Sequence, residues 1–228
     1  MTNHHRQLRA YAVPNPPHLH YHTLPSTSDL AKHLGRLTGA HVFPDGMCIT
    51  ADVQTAGRGQ FDRKWVSPPG GVYFSFLSFS PISSRLCREE KEAKGLRAFD
   101  PMGSMGRQNV ENPHVWLRSG AAKPDALPYW IALKLQAWLA KKFQINTEIK
   151  LPNDLLVNGK KLCGILVEKI SRGDAYFGVI GIGLNLNQHL FPETLTEATS
   201  IAMLSGETYD KTVVTEGLIE ECALWFGE

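Results

Sequence analysis

Net charge is nearly absent from this chain: 24 Lys and Arg against 22 Asp and Glu leave +2 over 228 residues. A dedicated nucleic-acid binder shows a basic excess, so that class is not indicated. Long apolar runs are missing too, and none approaches the roughly 20 residues that a membrane-spanning helix needs. The four cysteines, Cys48, Cys87, Cys163 and Cys222, form no CxxC pair. That argues against a disulfide framework or a zinc site and fits a reducing compartment. Cys48 and Cys163 sit inside apolar runs and read as small core residues. There is no N-x-S/T acceptor, no Gly-Lys-Ser/Thr of a P-loop and no Gly-x-Gly-x-x-Gly in Rossmann context. The stretch from Met1 to Pro17 has no continuous apolar segment and does not read as a secretion signal. Its lack of acids, with Arg6 and Arg9, leaves a weak organelle presequence open.

What is present is 43% hydrophobic and 20% charged residues, enough to bury a real core. The most informative run is Gln54-Thr55-Ala56-Gly57-Arg58-Gly59-Gln60-Phe61-Asp62-Arg63-Lys64-Trp65. Glycines let backbone N–H groups approach a ligand closely, and consecutive N–H groups form an anion nest. Arginines add forked, charge-assisted hydrogen bonds. Trp65 supplies a flat apolar face. Together these suit a phosphate attached to a planar base. The alternative is a basic glycine-rich surface loop or an RNA contact.

Along the chain, His18, His20 and His22 alternate on a short strand. A metal could bind there, but a solvated strand face is the better reading. Ser26-Thr27-Ser28-Asp29 offers N-cap chemistry to a helix carrying Leu30, Leu34 and Leu37, with Gly39 as its stop. Pro44-Asp45-Gly46 reads as a turn, and Met47–Val53 and Val72–Phe79 as strands. Residues 81–127 have no sustained period and read as an insertion or flexible loop. A helix is expected over Leu127–Phe143 and a strand over Thr147–Lys150. Asp154–Val157 and Lys160–Ile170, joined by Asn158-Gly159, form an expected hairpin. A further strand spans Ala175–Leu186 and a last helix Val213–Phe226. Hairpin-joined strands with a few helices give an α+β domain: a mixed, mainly antiparallel sheet with flanking helices.

Three more signals carry chemistry. In Lys150-Leu151-Pro152-Asn153-Asp154 the proline ends a strand and presents an amide and a carboxylate at its tip. These could read a base edge or hold a hydrated Mg²⁺, or be a plain turn. Lys161 opens the apolar run Leu162–Val167 and either snorkels to the surface or needs an anionic partner. Gly181-Ile182-Gly183-Leu184-Asn185 places glycines inside a strand, which marks close approach by a ligand or by another backbone.

Taken in order, Ser26-Thr27-Ser28, the Gln54–Trp65 run, Lys150–Asp154, Lys161–Glu168 and Gly181–Asn185 resemble the catalytic domain of biotin protein ligases. The resemblance covers roughly residues 22 to 190, with 81–127 unmatched. It implies a fold like that of class II aminoacyl-tRNA synthetases. It also implies ATP-dependent conversion of biotin to biotinyl-5′-AMP, then transfer to a lysine of a biotin carboxyl carrier domain. By the resemblance, Ser26, Thr27, Ser28 and Gln54 face the ureido ring, and Gly164 and Leu166 line the slot for the bicyclic ring and its chain. Gly57, Arg58 and Gly59 hold the carboxylate and α-phosphate. Gln60 and Arg63 lie on the nucleotide side. Trp65, Lys150, Asn153 and Asn185 hold the ATP. Lys161 and Arg58 are the implied catalytic cations, and Asp154 is the implied Mg²⁺ or loop partner.

Two departures stand out: Gln60 replaces an arginine common in the family, and Leu151 replaces a tryptophan common before Pro-Asn-Asp. The expectation is one catalytic domain over 1–228, with a loose tail over 1–17 and neither a winged helix nor a C-terminal barrel. Biotin and ATP are the expected substrates, with Mg²⁺. A carrier domain is the expected partner, without nucleic acid or membrane, and the chain is expected to be a cytoplasmic monomer or homodimer. A lipoate or octanoate ligase or transferase is the alternative within the same superfamily.

Overall fold

The computed structural model describes residues 17–38, 46–61, 63–78, 126–172 and 175–227. The expected Gly39 stop, most of the Pro44–Gly46 turn, the tail before Pro17 and the 81–125 part of the expected insertion lie outside these residues. Residues 126 and 127 open a helix instead.

Seven strands form one sheet. They are β1 His18–Leu24, β2 Cys48–Gln54, β3 Val72–Ser78, β4 Glu148–Lys150, β5 Asp154–Val157, β6 Lys160–Arg172 and β7 Ala175–Leu184. The order across the sheet is β1-β2-β3-β7-β6-β5-β4. Only β1 and β2 run parallel, and the helix α1, Thr27–Thr38, is their crossover. All other neighbours are antiparallel. The β5–β6 hairpin turns at Asn158 and Gly159, with φ of 51° and 74°, the left-handed pair that a two-residue turn requires. Across the sheet, β7 is the seam. It joins β1–β3 to β4–β6, pairing Phe74 with Ile182 on one side and Ile165 with Ile182 on the other.

Strand alternation divides the side chains between two faces. Phe74, Phe76, Ile180, Ile182 and Leu184 point to a core closed by α2, Ala126–Phe143, and α4, Lys211–Gly227. On α2 the positions Ile131, Leu135 and Leu139 recur every four residues and are fully buried. On α4 Val214, Leu218 and Cys222 do the same. The opposite face carries Ile49, Leu77, Phe177 and Val179 under α1. Ser26 Oγ accepts from the Asp29 N–H at 3.2 Å and so caps α1. A five-residue helix, α3 (Ile201–Ser205), and a 3₁₀ turn at Glu193–Leu195 have no counterpart in the expectations from sequence.

The histidine strand is exposed, as expected. His18 and His20 contact Thr50 Oγ1 at 2.6 and 2.9 Å, and His22 contacts Asp52 at 3.0 Å. Lys211 from α4 reaches the same Asp52 at 2.5 Å. Burial pushes the Cys48 and Cys163 thiols up to about 12, so they are inert core atoms.

Candidate functional site

On the α1 side, where Gly164 of β6 meets Gly181 and Gly183 of β7, the floor of the sheet is bare backbone. Gly164 pairs with Gly183, and Gly181 lies two residues back on the same face. A Cβ at Gly183 would come within 2.5 Å of the Trp65 ring, and one at Gly164 within 2.7 Å. A Cβ at Gly181 would lie 2.8 Å from Ser28 Oγ. The glycines therefore leave room for an indole and for hydroxyls rather than for any freedom of φ. A cavity of about 110 Å³ opens over this floor. Its wall includes Thr27, Ser28, Gln54, Arg58, Gly59, Gln60, Arg63, Trp65, Asn153, Asp154, Lys161, Gly164 and Leu166.

One end of the cavity is neutral and buried. Thr27 and Ser28, at the start of α1, are 3% and 5% exposed. Gln54, at the end of β2, accepts from the Thr27 N–H at 2.8 Å and from Thr27 Oγ1 at 3.1 Å. Its Nε2 donates to Ser67 Oγ at 2.8 Å. Beneath them Ser75 of β3 contacts both Thr27 and Ser28.

The other end is charged. Arg58 Nε donates to Asp29 at 2.9 Å, and Lys32 holds Asp29 at 2.8 Å and Glu168 at 2.9 Å. Burial would raise the Asp29 carboxyl, but Lys32 and Arg58 outweigh it and hold it below the usual carboxylate range. The loop itself is closed by backbone bonds from Gly59 N to Arg63 O at 2.7 Å and from Trp65 N to Gly57 O at 2.9 Å. A Cβ at Gly57 would meet the Trp65 carbonyl at 2.4 Å, so the loop can close only over glycine.

Lys161 adds a further cation, where this cavity meets another. Its ammonium forms an ion pair with Asp154 at 2.7 Å and sits 5.0 Å from the Trp65 ring centroid. Its backbone is held on both sides, by Lys161 N to Glu197 O, by Thr199 N to Lys161 O, and by Asn185 Nδ2 at 3.3 Å. A second cavity of about 330 Å³ begins here, lined by Lys150, Asn185, Phe191, Thr194 and Glu197. Lys64, Trp65, Asp154 and Lys161 belong to both cavities.

Nearly all of the residues singled out from the sequence thus converge. Ser26 does not line either cavity; its hydroxyl accepts the Asp29 N–H as the helix cap. Gly57 acts from behind Trp65. Asn153 and Asn185 reach the site, yet their amide N–H groups are committed to backbone carbonyls: Asn153 to Ile165 at 2.6 Å, Asn185 to Thr199 at 2.9 Å. The sequence reading missed Ser67, Ser75, Gly181 as a neighbour of Ser28, and the Asp29–Lys32–Glu168 chain. Asp29 and Lys32 are an i,i+3 pair on α1 and were legible locally, whereas the other contacts join residues distant in sequence.

The model of the biotin/lipoate A/B protein ligase family matches residues 24–91 and 124–185. The chain is 31% identical over 207 residues to the bifunctional ligase/repressor BirA of Bacillus subtilis, covering 89% of this chain and 51% of that protein. It is 29% identical over 181 residues to the biotin–[acetyl-CoA-carboxylase] ligase of Mycobacterium tuberculosis, covering 78% of this chain and 53% of that one. The chain spans about half the length of these curated relatives. Among solved structures, the biotin protein ligase from Aquifex aeolicus in complex with biotin and ATP superposes with a TM-score of 0.63 at 24% identity, over 92% of this chain and 70% of that one. The mixed seven-stranded sheet with its flanking helices is therefore the fold of those ligases.

Proposed function

The chain belongs to the biotin/lipoate A/B protein ligase family, and from that premise we propose that it activates biotin with ATP and passes the biotinyl group to a lysine of a carboxyl carrier domain. One observation carries the reading. Two cavities adjoin, and their shared wall holds Lys161 beside Trp65 and Asp154. An acid in the first cavity and a nucleotide in the second would meet at one cation.

In the first step a carboxylate oxygen attacks the α-phosphorus, and pyrophosphate leaves with the bonding pair. Both reactants are anionic, so the work of the site is to offset repulsion and to stabilise charge on the phosphoryl oxygens. Lys161 is placed to do this as a fixed charge, exchanging Asp154 for the reacting oxygens. Arg58 would exchange or share its Asp29 contact in the same way. In the second step the carrier amine attacks the acyl carbon. AMP is expelled, and the amine proton is lost to solvent or to the departing phosphate. Magnesium that accompanies a nucleotide is generally held by one or two carboxylates plus substrate phosphates. Asp154 and Glu197, both on the second cavity, fit that donor set. Bound there, the ion would neutralise triphosphate charge.

The names of the relatives support biotin over other acids: one is called a biotin–[acetyl-CoA-carboxylase] ligase. Among the described residues no helix is long and apolar enough to cross a membrane. ATP–pyrophosphate exchange tests the proposal: exchange that requires biotin is the expected result. Exchange supported by lipoate instead, or by neither acid, overturns it.

A further inference from the structure

The hydrogen bonds beneath the neutral end of the cavity admit a single direction. Ser67 Oγ donates to the Trp65 carbonyl at 3.3 Å, so it accepts from Gln54 Nε2. The Gln54 amide is thereby oriented, and both lone pairs of its Oε1 are filled by the N–H and hydroxyl of Thr27. A hydroxyl has one proton and two lone pairs. Thr27 has given its proton to Gln54, so Ser75 donates in their 2.9 Å contact. Ser75 has then given its own, so Ser28 donates in the 3.0 Å contact with Ser75. Polarity runs from Ser28 through Ser75 and Thr27 to Gln54, and Ser75, 0% exposed, is the link on which it depends.

We propose that Ser75, which does not line the cavity, is a specificity-determining positioning residue that fixes the polarity of the cavity's neutral end. It takes the Ser28 proton and occupies one Thr27 lone pair. What remains for a ligand is acceptors at Ser28 and Thr27 and one unspent N–H on Gln54. That set matches a group with N–H donors beside a carbonyl acceptor, as in a cyclic urea. A ring with no N–H leaves buried hydroxyl lone pairs unpaired, which is costly. Without Ser75 the hydroxyls of Ser28 and Thr27 can rotate and offer protons, so the discrimination goes. The inference deepens the biotin reading above and rests on it.

The test compares equilibrium binding of biotin with that of a carbamate analogue, in which a ring oxygen replaces one ureido N–H. Wild type, Ser75→Ala and Ser75→Cys are measured, together with the apparent affinity for ATP. In Ser75→Ala, biotin binding weakens about tenfold and the preference for biotin over the carbamate shrinks by a similar factor. ATP affinity is unchanged. Ser75→Cys keeps the volume with a weak donor and falls between the two; if the alanine variant does not fold, it decides by the same ratio. A merely structural Ser75 would weaken both ligands alike, and an unchanged preference overturns the proposal while leaving the ligase reading in place. Failure of the wild type to bind biotin overturns both.

Discussion

The two ends of the site solve the problem of waiting for a ligand in opposite ways. At the neutral end, Thr27, Ser28 and Ser75 are buried, uncharged and bonded to one another and to Gln54. At the charged end, the side chains of Arg58 and Lys161 are 49% and 32% exposed, and each rests on a carboxylate of the protein's own, Asp29 or Asp154. Neutral groups can be set in advance because their cost is met by internal hydrogen bonds. Partly exposed cations rest on these carboxylates in contacts that water weakens, so the partners can be exchanged. The first end is therefore complete without substrate. The second must exchange partners, and an exchange is where binding and chemistry become coupled.

The largest effect expected from breaking this contrast is at Lys161. Lys161→Ala lowers the single-turnover rate of biotinyl-AMP formation by about 10²–10³, the usual loss for one preorganised transition-state donor. Biotin affinity changes far less. Its backbone contacts to Glu197, Thr199 and Asn185 do not involve the lost side chain, so the fold persists. A wild-type rate would remove Lys161 from the chemistry.

Asp29→Asn comes next. It removes the Asp29 contact of Arg58 and leaves Lys32 its contact with Glu168. The pair is partly exposed, worth about 0.2–1 kcal/mol, so the expected change in KM for ATP or biotin is roughly twofold to fivefold. In an Arg58→Ala background the same substitution has a smaller further effect, the part that runs through Lys32. Full additivity in that double-mutant cycle would show that Asp29 does not work through Arg58.

Gln60→Arg sharpens the comparison by adding charge. Gln60 lines the first cavity, and its Oε1 is buried without a hydrogen-bond partner among the described residues. An arginine there gains a charged contact to an anionic intermediate, worth on the order of 1 kcal/mol over a neutral one. Release of preformed biotinyl-AMP should slow a few-fold, and an unchanged off-rate would show that the position does not face the phosphate.

The smallest effect is on acid stability. Asp29 and Asp52 both lie below the ordinary carboxylate range: burial opposes this, but Lys32 and Arg58, or Lys211 and His22, prevail. A carboxyl depressed in the folded state stabilises fully above its unfolded pKa, and the contribution fades as pH falls through the folded value. Asp52→Asn, far from the site, should lower the urea midpoint at pH 7 but not at about pH 3, with activity intact. A deficit of equal size at both pH values would mean that charge is not its role.

Much of this was legible in the sequence. The Asn158-Gly159 turn, the strand Asp154–Val157 and the helix over Leu127–Phe143 follow from turn chemistry and apolar period, and they appear within a residue or two of expectation. The Gly-Arg-Gly run was visible because its glycines and arginines are contiguous. Ser75 was not, because a serine inside an apolar strand signals nothing until strand pairing sets it under Thr27, 48 positions away. Ser26 shows a related limit: cap and ligand contact call for the same side chain, and only geometry shows its hydroxyl on the Asp29 N–H.

The place of β7 in the sheet also sets a schedule. Chains emerge N-terminus first, so Gln54 and Ser75 are in place on β2 and β3 long before Lys161 and Gly164 are made. These groups come together only when β7, the last strand among the described residues, inserts between β3 and β6. Until then β3 offers an open edge carrying Phe74 and Phe76, a template for unwanted pairing with other chains. Pairings so distant in sequence also form slowly. The time during which this protein is most exposed to aggregation is therefore the interval on the ribosome between residues 78 and 184, and a chain stopped within it holds half a site with no partner for its edge.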